Sequence, residues 1–138
     1  MISIEKVLYT SHTHTTGGRE GTGRSHDGRL DLKLSAPGAP GNGTNPEQLF
    51  AICWSACFLG ALRHACNARK IAFPAAAAVD AQVDLVHGEH GFFLQVRMEV
   101  SLPDVEPEIA RQLVDAAHQN CPYSKATRQN INVSFSIA

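Results

Sequence analysis

At 138 residues, 43% hydrophobic and 18% charged, the chain has the size and composition of one globular domain, residues 1–138, with room for a real core. Its formal net charge of −1, with no basic run and little aromatic clustering, argues against nucleic acid or a membrane surface as partner. The opening MISIEKVLYTSHTH lacks the basic and apolar segments of a signal peptide, and the apolar run at 51–62 is short for a membrane span. A cytoplasmic location is therefore expected. In that reducing setting Cys53, Cys57, Cys66 and Cys121 do not form a structural disulfide framework.

In chain order, KVLYTSHTHTT is rich in β-branched residues and reads as a first strand. GGREGTGRSHDGRLDLKLS reads as two extended halves separated by the hairpin signal Asp27-Gly28. In the second half Leu30, Leu32 and Leu34 alternate with Arg29, Asp31 and Lys33, the pattern of a half-buried strand. The Gly/Pro loop APGAPGNGT ends this segment.

A long helix is expected from Asn45, with Asn45 as N-cap, Pro46 at the first helical position and Gln48 completing a capping box. Apart from the thiols, Ser55 is the only polar side chain over 51–62, so the helix is apolar all round. Cover by its own sheet on one side and a partner subunit on the other would satisfy that pattern.

Two strands follow, joined through HGEHG and ended by Leu102-Pro103-Asp104. Pro107 opens a further helix with Ile109, Leu113, Ala116 and Ala117 on one face. It stops before Cys121-Pro122, because a residue preceding proline disfavours the helical region. Pro122 then starts a short helix, and INVSFSI closes the chain as an alternating strand. The order β-β-β-α-β-β-α-β makes an α+β domain with mostly antiparallel pairing.

Two candidate chemistries fail on context. GREGTGRS, residues 18–25, nearly fits a phosphate loop, but a turn and a strand follow it rather than a helix whose N-terminus would meet phosphates. His12 and His14, His87 and His90, and the Cys53/Cys57 pair do not complete a zinc ligand set, so no metal is expected.

The thiols divide. Free cysteine packs as a small hydrophobe, which suffices for Cys53 and Cys66. Cys121 differs, standing beside Pro122 at the expected N-cap of a short helix, where a thiolate is favoured. It is a candidate half of a redox pair, and spacing does not choose between the helix cysteines as its partner.

Three separated blocks, GGREGTGRSHDGRLDLKLS, GTNPEQLFAICWSACFLGAL and VSLPDVEPEIARQLVDAAHQNCPYSKATRQNINV, resemble the organic hydroperoxide resistance branch of the Ohr/OsmC family. CPYSKATR points to that branch. The resemblance covers nearly the whole chain. It implies an OsmC-like fold, with mostly antiparallel sheets around a long central buried helix, in an intertwined homodimer. It also implies that Cys57 is the peroxidatic cysteine, Cys121 the resolving one, and Arg19 and Glu47 the active-site arginine and glutamate. Gln129, where a glycine is usual, and Glu20, where an aspartate is common, depart from the pattern only locally.

The implied reaction is reduction of alkyl or fatty-acid hydroperoxides through a Cys57 sulfenic acid and a Cys57–Cys121 disulfide. A lipoylated protein or dihydrolipoamide would act as reductant, with no metal, flavin or haem. A thiol in apolar surroundings needs a cation to ionise, which Arg19 would supply. Glu47 and Cys57 lie ten residues apart, about 15 Å along one helix, so one straight helix cannot bring both to the same arginine. An antiparallel crossing of two copies near Ile52 would, giving a homodimer with shared sites. Trp54 and Phe58 are expected as walls of a substrate pocket. Two rival readings are a redox sensor using the same cysteines without turnover and a small-molecule binding protein with inert thiols.

Overall fold

Three short antiparallel strands, β1 (Thr13–Thr16), β2 (Thr22–Ser25) and β3 (Asp31–Lys33), form a sheet in the order β1-β2-β3. The computed structural model describes residues 2–138 and divides into two compact units, the first ending at Pro46 and the second running Glu47–Ala138. The β2–β3 hairpin turns at Asp27-Gly28 as expected. The Asp27 carboxylate accepts from the Ser25 hydroxyl at 2.6 Å and the Arg29 N–H at 3.0 Å, and Gly28 takes φ 76°.

Two expectations for this unit need correction. The strand foreseen from Lys6 is confined to Thr13–Thr16, because β-branched composition makes a strand only where a neighbour pairs with it. The first half of the Gly-rich segment is not extended throughout: Gly18–Glu20 form a single 3-10 turn before β2. Gly21 is obligatory after that turn, since a Cβ there would lie 1.7 Å from the Thr16 carbonyl oxygen. The segment continues into a hairpin, not a helix.

α1 (Pro46–Ala68) starts at Pro46, as the sequence indicates, and from Glu47 onward it belongs to the second unit. β4 (Ala78–Gly88) and β5 (Gly91–Ser101) pair antiparallel over their whole length through the two-residue turn Glu89-His90. α2 (Pro107–Asn120) and α3 (Pro122–Thr127) cross over to β6 (Asn132–Ile137), which pairs parallel with β5. The sheet order is β4-β5-β6. Three of the four strand pairings are antiparallel, so the expectation of an α+β domain with mostly antiparallel pairing holds.

Period-two alternation sends Val96, Met98 and Val100 inward while Arg97 and Glu99 stay outside. On the outer face Arg97 grips both oxygens of Asp84, at 2.6 and 2.9 Å, holding that carboxyl down to about 2. Against the inner face pack Trp54, Phe58, Leu62 and Cys66 of α1 with Ala110, Leu113, Val114 and Ala117 of α2. Phe58 stacks on Phe135 at 4.9 Å. The core side of α2 is thus shifted from the expected one: Ala110, Leu113, Val114 and Ala117 are buried, whereas Ile109 and Ala116 are only half-buried. Glu106 caps α2, its carboxylate accepting from the Glu108 and Ile109 N–H groups at 3.2 Å each.

One face of α1 enters this core; on the other, Ile52 is 66% exposed and Cys53, Ala56 and Gly60 are also exposed. Cys53 is therefore not a core thiol, contrary to the expectation for it, whereas Cys66 is fully buried and burial pushes its thiol up. The membrane-span expectation also needs amending. Over its 23 residues α1 is long and apolar enough to cross a bilayer, because the uninterrupted run at 51–62 understates the helix. Trp54, Phe58 and Leu62 on one face of the helix are committed to the protein core, while Ile52 on the other stays exposed.

Candidate active site

Cys121 occupies the junction of two helices. Its N–H completes α2 by donating to the Ala117 carbonyl at 2.8 Å, and its own carbonyl accepts from Lys125 N–H at 2.9 Å in α3. Between them its backbone is extended, φ −61° and ψ 124°, as the following Pro122 demands. This break aims the fully buried Cys121 side chain at α1.

There it meets Cys57. The two Sγ atoms are 3.5 Å apart, both free thiols, although 64 positions separate them in the chain. A disulfide bond is about 2.05 Å long, so closure requires the sulfurs to approach by roughly 1.5 Å. Burial pushes the Cys57 thiol up, the neighbouring Cys121 sulfur adds to this, and the Tyr123 backbone N–H opposes it by hydrogen-bonding the sulfur. Within this unit the balance favours the protonated thiol, so a nucleophilic Cys57 needs a cation.

Two residues that sequence reasoning missed hold α3 in place. Trp54 Nε1 donates to Ser124 Oγ at 3.2 Å, with both side chains fully buried, tying α3 to α1 one turn from Cys57. Tyr123 sits over the same turn: its ring lies 6.5 Å from Phe50. Burial raises its phenol, and the Cys53 sulfur, to which the hydroxyl hydrogen-bonds, raises it further. The one available signal was the Pro122 start of a helix, which places positions 123 and 124 in its first turn.

Trp54 and Phe58 do not form pocket walls. Both are completely buried, Trp54 edge-on to Phe50 and Phe58 against Phe135, because their helix face points to the sheet. The half-buried Cys57 instead opens onto a groove of 720 Å³ between α1 and α2, mostly lined by small apolar side chains such as Ala61, Ala65 and Ala116. Glu47 stands in the first turn of α1. Arg19 lies in the 3-10 turn of the N-terminal unit.

A family model described as OsmC-like protein matches residues 39–136. The chain is 46% identical to the organic hydroperoxide resistance protein of Xanthomonas axonopodis pv. citri, with all of both chains covered. It is 47% identical to an uncharacterized protein of Acinetobacter baylyi, covering 99% of this chain and 97% of that one. Among solved structures, the organic hydroperoxide resistance protein OhrB of Bacillus subtilis matches with a TM-score of 0.91 at 41% identity, covering 96% of this chain and 100% of the other.

Proposed function

From the premise that this chain belongs to the OsmC-like family, in its organic hydroperoxide resistance branch, we propose that it is a cysteine-based peroxidase that reduces organic hydroperoxides to alcohols. The observation that carries the reading is the pair of free thiols, Cys57 and Cys121, held 3.5 Å apart at the head of an apolar groove. The Cys57 thiolate attacks the outer peroxide oxygen and the O–O bond breaks. An alkoxide leaves and takes a proton to become the alcohol, and Cys57 becomes a sulfenic acid. Cys121 attacks that sulfur, water leaves, and a disulfide closes. An external dithiol, a lipoyl group by family resemblance, reduces the disulfide and is itself oxidised.

Arg19 takes the part of the cation that keeps Cys57 ionised, and Glu47 that of the carboxylate orienting the guanidinium; both roles rest on the family resemblance. The decisive assay is steady-state consumption of cumene hydroperoxide with dihydrolipoamide. Consumption continuing for many equivalents supports the peroxidase reading. A halt after one equivalent would point to a sensor, and no consumption to a binding protein. In the same assay Arg19→Ala lowers the rate of peroxide attack, and unchanged kinetics would dismiss its role.

The reading includes a homodimer with active sites completed across the interface. In its favour, a single chain leaves Ile2, Ile4, Leu8 and Tyr9 more than three-quarters exposed, along with Ile52 on the outward face of α1. Each unit thus carries large apolar side chains that a partner chain would cover. Light scattering is expected to give twice the 14.9 kDa chain mass; a fully active monomer would contradict it.

A further inference from the structure

The groove that opens at Cys57 has a direction. Ala61, His64, Ala65 and Ala68 follow Cys57 at the helical spacings that return to one face of α1, and Ala116 and Asn120 supply the opposing α2 side. Its middle is lined mainly by small apolar groups that give a flexible chain room, with the His64 imidazole the one polar side chain that α1 adds between Cys57 and Arg69. Its far end is different. Arg69 lines it just beyond the last residue of α1, 12 positions and about 18 Å of helix rise from Cys57.

Arg69 is oriented from one side only. Its Nη1 donates to Gln112 Oε1 on α2 at 2.8 Å, and no carboxylate pairs with it among the described residues. A guanidinium has five donors, so the fork keeps capacity for a carboxylate. A reactive sulfur at one end, a largely apolar trough between and an unneutralised guanidinium at the other match one ligand chemistry: a long carbon chain bearing a hydroperoxide along its length and a carboxylate at its terminus.

We propose that Arg69, held by Gln112, is a specificity-determining residue that anchors the terminal carboxylate of a long-chain hydroperoxide lying in the α1–α2 groove. The proposal rests on the peroxidase reading and adds a discrimination to it. Neutral and carboxylate-bearing substrates of equal length will be consumed at different efficiencies. Gln112 acts through Arg69 as a positioning residue, without touching substrate itself.

The test compares linoleic acid hydroperoxide with its methyl ester, both presented below their micellar concentrations, on the parent, Arg69→Gln, Arg69→Lys and Gln112→Ala. The parent is expected to favour the acid in kcat/KM by about tenfold, the scale of one charge-assisted hydrogen bond in a partly solvated site. The ratio should fall to near one in Arg69→Gln, recover partly in Arg69→Lys and fall partway in Gln112→Ala. The preference should reside mainly in KM and shrink with added salt. Because each ratio is taken on one preparation, a partly unfolded variant does not disturb it. An equal acid-to-ester ratio in the parent and Arg69→Gln would overturn the Arg69 assignment while leaving the peroxidase reading intact. Failure of the parent to consume either peroxide, or cumene hydroperoxide, would overturn both.

Discussion

Exchange of Cys57 for serine is expected to abolish hydroperoxide consumption, a loss of at least about a thousandfold in rate. The serine hydroxyl is nearly isosteric with the thiol, so α1 and its core contacts are retained while the one nucleophile at the groove mouth is removed. Cys66→Ser removes a thiol with no route to peroxide, because Cys66 is fully buried in the core. It should lower stability without removing catalysis. The two variants therefore separate a reacting cysteine from a packing one in the assay described above. Activity surviving in Cys57→Ser would transfer the chemistry to another thiol, with the exposed Cys53 first in line.

Trp54→Ala is expected to cost about 3–5 kcal/mol of stability, the range for deleting a buried large aromatic side chain. Trp54 is wholly buried in the centre of the second unit's core and edge-on to Phe50. Its truncation opens a cavity and also strands the buried Ser124 hydroxyl, which loses the Nε1–H donor at 3.2 Å. The loss should appear in urea unfolding at fixed protein concentration, with a melting temperature lower by about 10 °C or more. Trp54→Phe keeps most of the packing and loses mainly the hydrogen bond, so it should cost distinctly less. A loss below about 1 kcal/mol for the alanine variant would mean that Trp54 does not clamp α3 to α1. Slower closure of the Cys57–Cys121 disulfide in Trp54→Phe would connect that clamp to the redox step.

Local chemistry made much of the fold readable. Asp27-Gly28 marked its hairpin, Pro46 the start of α1, and Pro107 and Cys121-Pro122 the two ends of α2. Each is a signal acting over a few residues, where backbone restriction alone decides. The features that depended on distant partners were not readable. Nothing in INVSFSI says that β6 joins β5 in parallel, since that follows from the path of the α2–α3 crossover. The outward position of Cys53 and the burial of Trp54 and Phe58 follow from which face of an all-apolar helix meets the sheet, and such a helix carries too little polarity to reveal it.

The candidate site shows the same division. Spacing singled out Cys121 beside its proline but left its partner open between Cys53 and Cys57, and the family resemblance made the choice. The structure brings Cys57 to 3.5 Å from Cys121. Tyr123 and Ser124 escaped notice because their importance lies in what they touch on α1, some 70 positions away. Arg69 escaped for the same reason: only the packing of α1 against α2 turns a helix-end arginine into the end of a groove.

Peptide mapping of the chain after one equivalent of cumene hydroperoxide, with free thiols blocked before digestion, bears most directly on the thiol chemistry. The expected product is a single intramolecular linkage joining the peptides that carry Cys57 and Cys121, with Cys53 and Cys66 alkylated or unreacted. A sulfenic acid that persists at Cys57 with Cys121 still free, or a linkage that excludes Cys121, would contradict it.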